Sequence, residues 1–249
     1  MAKRVSAKTY PNSPAIEVIY HVQATLPQVT DMGSVDRTLT AELKGFAQKE
    51  PFSLFKQTLG TAAGAPTQFQ VEADHAGYKF TDKKGQHVVH MLRDGLVVNW
   101  LKPYPGYAAC IKKTKNYWRT HQKAFRSAQV ERISLRYVNH IDLPMTEGKL
   151  KFSDYLNIGP RLPASDGAKL RGFHQVLDLV DPSKGVGGRA TLMSLQALPD
   201  RVPVVLDIES TLTLKGGEAE IWKGFDALHA WSHEVFNLSL NDKCRKLFA

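Results

Sequence analysis

The side chains of this 249-residue chain best suited to catalysis are three acids and two histidines. Asp207 and Glu209 are two apart, so on a strand they share one face about 7 Å apart. With Asp142 they have the chemistry to hold Mg²⁺ for phosphodiester cleavage, because two-metal chemistry needs clustered carboxylates. That makes a metal-dependent nuclease or phosphoesterase one alternative reading. The same acids also match arginine forks from Arg132 or Arg136, and structural ion pairs are far commoner than metal sites. Pairing is the preferred reading. His229 and His233 are four apart, a chelating spacing on a helix. Ala230 stands where a His-Glu-x-x-His signature needs Glu, and Glu234 follows the second histidine instead. A satisfied, partly buried His229 is preferred to a metal ligand. Gly185-Val186-Gly187-Gly188-Arg189 lacks the Gly-Lys-Ser/Thr ending of a phosphate loop and precedes a strand, so it reads as a hairpin connection. No Gly-x-Ser-x-Gly elbow occurs, and neither cysteine has a histidine partner in sequence. No catalytic residue, metal ligand or cofactor is assigned, and a binding protein is favoured over an enzyme.

Charge gives the leading expectation. Lys102, Lys112, Lys113, Lys115, Arg119, Lys123, Arg126, Arg132 and Arg136 fall in one short stretch whose one acid is Glu131, a net +8 of the chain's +9. Charge this local attracts polyanions or an acidic partner. Tyr107, Ile111, Thr114, Trp118, His121 and Phe125 recur at helical steps, while Lys112, Lys115, Arg119, Lys123 and Arg126 repeat on another face. The expected nucleic-acid-binding set is Lys112, Lys113, Lys115, Arg119, Lys123, Arg126 and Arg132. Tyr117 is expected near the cationic side and Trp118 in the core. RNA, DNA or an acidic protein is the expected partner. Against this stands a solvated face of a core-packed helix, the common fate of such charge runs. No helix-turn-helix, zinc-finger, RRM or KH signature supports the binding reading.

Composition excludes several classes. Hydrophobic residues make up 43% and charged residues 23%, which suits a chain that buries a core. No apolar run reaches the length of a membrane span. The basic start has no apolar stretch after it, unlike a secretory signal. The two cysteines, Cys110 and Cys244, are too few for a zinc ribbon and read as reduced, buried thiols. A cytoplasmic location is expected.

These groups need elements to hold them. Alternation predicts strands over 16–26, 69–73, 77–81, 86–93, 96–101, 133–143, 173–180, 189–198 and 204–214. Asp82-Lys83-Lys84-Gly85 and Asp94-Gly95 mark turns. Helical spacing predicts 34–48, capped by Ser34 and ended by Pro51, then 107–128 and 218–238. A polar loop carrying Pro160 and Pro163 separates two halves, about 1–128 and 129–249, each ending in a meander and a helix. The expected fold is a single α+β domain: a large, mainly antiparallel sheet with three main helices on one face, built as a pseudo-duplication. An uncovered apolar sheet face would favour a protein–protein module, the third reading. Asn139, on an otherwise apolar strand face, is expected to be hydrogen-bonded.

Segments along the whole chain resemble a known family. Ser13-Pro14-Ala15-Ile16-Glu17 opens the first strand, and Arg132-Ile133-Ser134-Leu135-Arg136-Tyr137-Val138-Asn139-His140-Ile141 forms the central one. Leu206-Asp207-Ile208-Glu209 lies in the last strand. Leu228-His229, Phe236 and Leu240-Asn241-Asp242-Lys243 close the chain. Together they resemble a sporadically distributed bacterial family of unknown function, of about this length. The Arg-x-x-x-Arg-Tyr-x-Asn strand is the most specific part. Val18 and His21 interrupt the acid-rich run usual in the family's opening strand. The resemblance implies one intact domain of bacterial origin, and the family's patchy distribution implies a defence or mobile-element setting. It brings no activity.

Overall fold

Residues of period-two hydrophobicity line up as one antiparallel sheet. The computed structural model describes residues 10–25, 31–60, 68–126, 129–160, 170–214 and 216–249. Among them the strands are β1 (Ala15–Thr25), β2 (Gln48–Gly60), β3 (Gln68–Thr81), β4 (His87–Leu92), β5 (Gly95–Leu101), β6 (Gln129–Pro144), β7 (His174–Asp181), β8 (Val186–Ser194) and β9 (Arg201–Thr213). Their order is β2-β3-β4-β5-β1-β6-β9-β8-β7. The helices are α1 (Met32–Glu42), α2 (Tyr107–Phe125), α3 (Glu218–Ser239) and the single turn α4 (Asp242–Arg245). This is the α+β architecture expected from the sequence.

Both long helices cover the same face. Val18, Tyr20 and Val22 alternate along β1 and are fully buried. The Tyr20 ring lies 6.3 Å from Tyr107 of α2 and 5.5 Å from Phe225 of α3. The other parity of each strand makes the second face, which is mainly polar along its centre. In register across it run Arg136, Glu209, Arg189 and Asp178. A face so charged does not need an apolar partner to cover it.

The order of strands is arranged about a central pair. β1 and β6 pair at the centre of the sheet. Outward from them lie β5, β4 and β3 on one side and β9, β8 and β7 on the other. Each meander runs inward and is followed by a long helix, α2 or α3. β2 is an extra edge strand without a counterpart.

Four local expectations are corrected. Helix α1 starts earlier than Ser34, because Asp31 caps it by accepting from the Gly33 amide at 3.0 Å. It also ends earlier, at Leu43, where Phe46 turns to pack 5.8 Å from Phe80. Pro51 does not end a helix but lies inside β2, an edge strand, where a missing N–H is tolerated. Segments 69–73 and 77–81 form one strand, β3, because β2 pairs along its whole length. Gly77 is no break in it; with φ of 151°, it lets the backbone of β4 approach, and a Cβ there would lie 2.1 Å from the Met91 carbonyl oxygen. The ends of segments 16–26 and 107–128, together with Pro163, lie outside the described residues.

Gly188 fixes how closely α3 approaches the sheet. A Cβ at this position would lie 2.4 Å from the Glu209 carbonyl oxygen and 2.5 Å from the Trp231 ring. At Gly187 the nearest atom would be 3.7 Å away. Gly188→Ala should therefore destabilise the protein by about 2 kcal/mol through overpacking, and Gly187→Ala by less than about 0.5 kcal/mol. Urea unfolding midpoints check this. Equal midpoints for the two variants would contradict the packing account.

Candidate functional site

Helix α2 follows Pro103, Pro105 and Gly106, whose φ of 92° suits glycine and turns the chain into the first helical residue. Its inner face is Cys110, Thr114, Trp118, His121 and Phe125, all buried. Trp118, His121 and Phe125 stack in sequence at 5.0 and 4.7 Å. His121 Nε2 lies 2.7 Å from the Leu92 carbonyl oxygen, and burial pushes its pKa down to about 4. This anchoring fixes which residues face outward.

Lys112, Lys115, Arg119 and Lys123 then fall within an arc of roughly 80°. Lys112, Arg119 and Lys123 are exposed, and so is Arg126, which ends the helix in the left-handed conformation. Lys115 is half-buried, its ammonium 5.4 Å from the Trp222 ring of α3. Lys123 pairs with Glu42 of α1, and Arg119 donates to Asn116 at 3.4 Å.

Two members of the predicted set lie elsewhere. Lys113 is about 100° round the helix, with its ammonium 5.2 Å from the Trp100 ring of β5. Arg132 is opposite Gln23 and Thr213 in register, with strand parity that puts it on the uncovered face of the sheet. Tyr117 also departs from expectation. Its hydroxyl lies 3.0 Å from His87 Nε2, and its ring packs against Phe46.

The acids do not converge. Arg136 forks onto Asp207, with Nε and a terminal nitrogen at 2.8 and 2.5 Å. Glu209 is flanked in register by Arg136 and Arg189, and Arg189 bonds Asp178 at 2.7 Å. Asp142 lies opposite Pro203, roughly 13 Å further along the strands, near Arg201 and His140. Among the described residues no three of His, Cys, Asp and Glu are placed to hold a metal ion. Both cysteines are buried free thiols, pushed by burial to about 12. No helix among the described residues is long and apolar enough to cross a membrane.

A cavity of about 420 Å³ opens on the covered face between α3, the turn that leads into α2 and the segment 10–15. Tyr137, Asn139 and Ile208 form its floor, α3 supplies His229, His233 and Phe236, and Tyr104 to Tyr107 form the facing wall. His229 is held on two sides. Its ring stacks on Tyr107 at 4.0 Å and 3°, and the Tyr137 hydroxyl lies 2.8 Å from Nδ1. Tyr107 in turn donates to Asp226 at 2.8 Å. Asn139 donates from Nδ2 to the Leu206 and Tyr137 carbonyls at 3.0 and 3.3 Å, as expected for a buried amide. Burial, reinforced by the charge of His233, lowers His229 to about 4. Burial also raises Tyr137 well above the usual phenol range and Tyr104 to about 12.

No family model and no curated protein matches the chain. Function is therefore argued from the geometry of α2 and of this cavity. Sequence reasoning singled out His229, His233 and Asn139 but missed Tyr104, Tyr107 and Tyr137 as one group. The Tyr-flanking prolines signal a turn, and nothing in the sequence brings that turn to α3.

His87, His121 and His229 all sit near pKa 4 in the folded protein, against 6.5 in an open chain, chiefly because of burial. Below about pH 6.5 the unfolded chain takes up protons that the folded chain refuses. Their contribution is thus complete above that pH and is lost between pH 6.5 and 4. Urea midpoints should be flat from pH 8 to 7 and fall steadily below 6.5. A midpoint unchanged at pH 5 would contradict this account.

Proposed function

We propose that this chain is a nucleic-acid-binding protein rather than an enzyme, and that it engages phosphates along the outer face of α2. The observation that carries the reading is the cationic stripe of Lys112, Lys115, Arg119 and Lys123, continued by Arg126, on a helix whose opposite face is locked into the core. From Lys112 to Lys123 the stripe runs roughly 17 Å, the length of about five phosphates along one strand of a duplex. Glu42 and Trp222 hold two of its side chains, so binding is moderate and salt-sensitive. The resemblance to a sporadic bacterial family supports a bacterial protein in a defence or mobile-element setting.

Fluorescence anisotropy with labelled RNA and DNA over a range of salt tests the reading. Replacing Lys112, Lys115, Arg119 and Lys123 together with Ala should weaken binding and reduce the log–log salt slope by about 3. Replacing Lys113 and Arg132 together should leave affinity within about twofold, because neither belongs to the stripe. Unchanged affinity and slope in the four-site variant would remove α2 from the account. Binding of polyglutamate but not nucleic acid would reassign the stripe to an acidic protein partner.

A further inference from the structure

The cavity beside α3, at the start of α2, shares no lining residue with the cationic stripe, and its chemistry differs. Among the described residues its lining contains no Asp, Glu, Lys or Arg. Its two titratable bases are the histidines, and burial keeps His229 uncharged down to about pH 4. A cation would meet no acid in that lining, and an anion would meet no cation there but a His233 imidazolium, so a full charge is costly in a partly desolvated site. An uncharged ligand meets no such cost.

The shape and surface favour rings. The volume, about 420 Å³, lies within the range of small-molecule pockets. Tyr10, Tyr104, Tyr107, Tyr137 and Phe236 all contribute to the wall. They are held by their own contacts: Tyr104 meets Tyr137 edge-on at 6.1 Å, and Tyr10 packs 6.2 Å from Phe236. Such a wall offers both faces and edges to a flat partner.

The polar groups are also preset. Tyr137 keeps its proton, and its hydroxyl oxygen holds His229 Nδ1 at 2.8 Å. His229 therefore has Nε2 left to offer a ligand, as donor or acceptor according to the tautomer. Asn139 has committed its amide nitrogen to two backbone carbonyls, so what it can offer is the Oδ1 acceptor. Neither group needs to reorganise, which is how pockets gain affinity at small size.

We infer that this cavity is a binding site for an uncharged, ring-bearing small molecule that carries at least one hydrogen-bond donor and one acceptor. It is a second site, beyond the proposed nucleic-acid face.

The test uses the full chain and a matched series of bicyclic probes: 2-quinolone, which is uncharged with a donor and an acceptor; naphthalene; 2-naphthoate; and 2-naphthylmethylammonium. Protein-observed NMR titration reads affinity and location. 2-Quinolone should bind at least about tenfold more tightly than either charged probe, shifting resonances of Tyr137, Asn139 and His229. Tyr137→Phe should weaken it by about threefold to tenfold while leaving naphthalene unchanged. Two obstructing variants, Ala15→Leu on the floor and Ser13→Trp at the rim, should each abolish binding. Having both guards against one failing to fold, and urea midpoints identify that case. The four-site α2 variant should bind 2-quinolone normally. Equal affinity for charged and uncharged probes, binding that survives both obstructing variants, or no binding of any probe would overturn the inference.

Discussion

The structure depends on the pairing of β1 with β6. These strands join two half-sheets, one ending in α2 and the other in α3. The seam is buried on its helical side where Val18, Tyr20 and Val22 of β1 lie beside Ile133 and Leu135 of β6. Apolar burial of this extent is worth roughly 2 kcal/mol per large side chain. It also brings α2 and α3 together over one floor. Tyr20, at 0% exposure, touches both helices. Without the seam, Tyr107 would not stack on His229, and Tyr137 would not reach it.

Helix α2 thereby serves two environments. Its first residue belongs to the uncharged cavity, while its outer stripe presents cations to solvent. The buried ladder of Cys110, Thr114, Trp118, His121 and Phe125 prevents rotation between the two. The uncovered face of the sheet behaves differently again. There Arg136 pairs with Asp207 and Arg189 with Asp178, so the charge of these arginines is consumed within the protein. On α2, Glu42 is the acid that an ion pair brings to the stripe.

Much of the fold was legible in the sequence where one face of an element is buried. β1, β4, β5, β9, α2 and α3 carry clean period-two or helical patterns, and their bounds differ little from expectation. β2 was not legible. It is an edge strand with Leu54 and Phe55 exposed at 53% and 69%, so its pattern carries no core alternation. The stripe on α2 could be read from spacing alone. Strand parity separated Arg132 from Ile133, but only the side on which the helices pack shows that Arg132 faces away from α2. The cavity was the least legible part. His229 and Asn139 stood out as polar residues in apolar patterns, yet the tyrosines that hold His229, Tyr107 and Tyr137, come from segments about a hundred residues away in sequence.

The most direct measurement of the central claim is the absorbance ratio and nuclease sensitivity of the protein purified at low and at high salt. The account predicts nucleic acid co-purifying at low salt, removed by nuclease and released as salt rises. Clean protein at low salt, with no shift of labelled RNA or DNA, would contradict it and leave the α2 stripe as a solvated or protein-docking face.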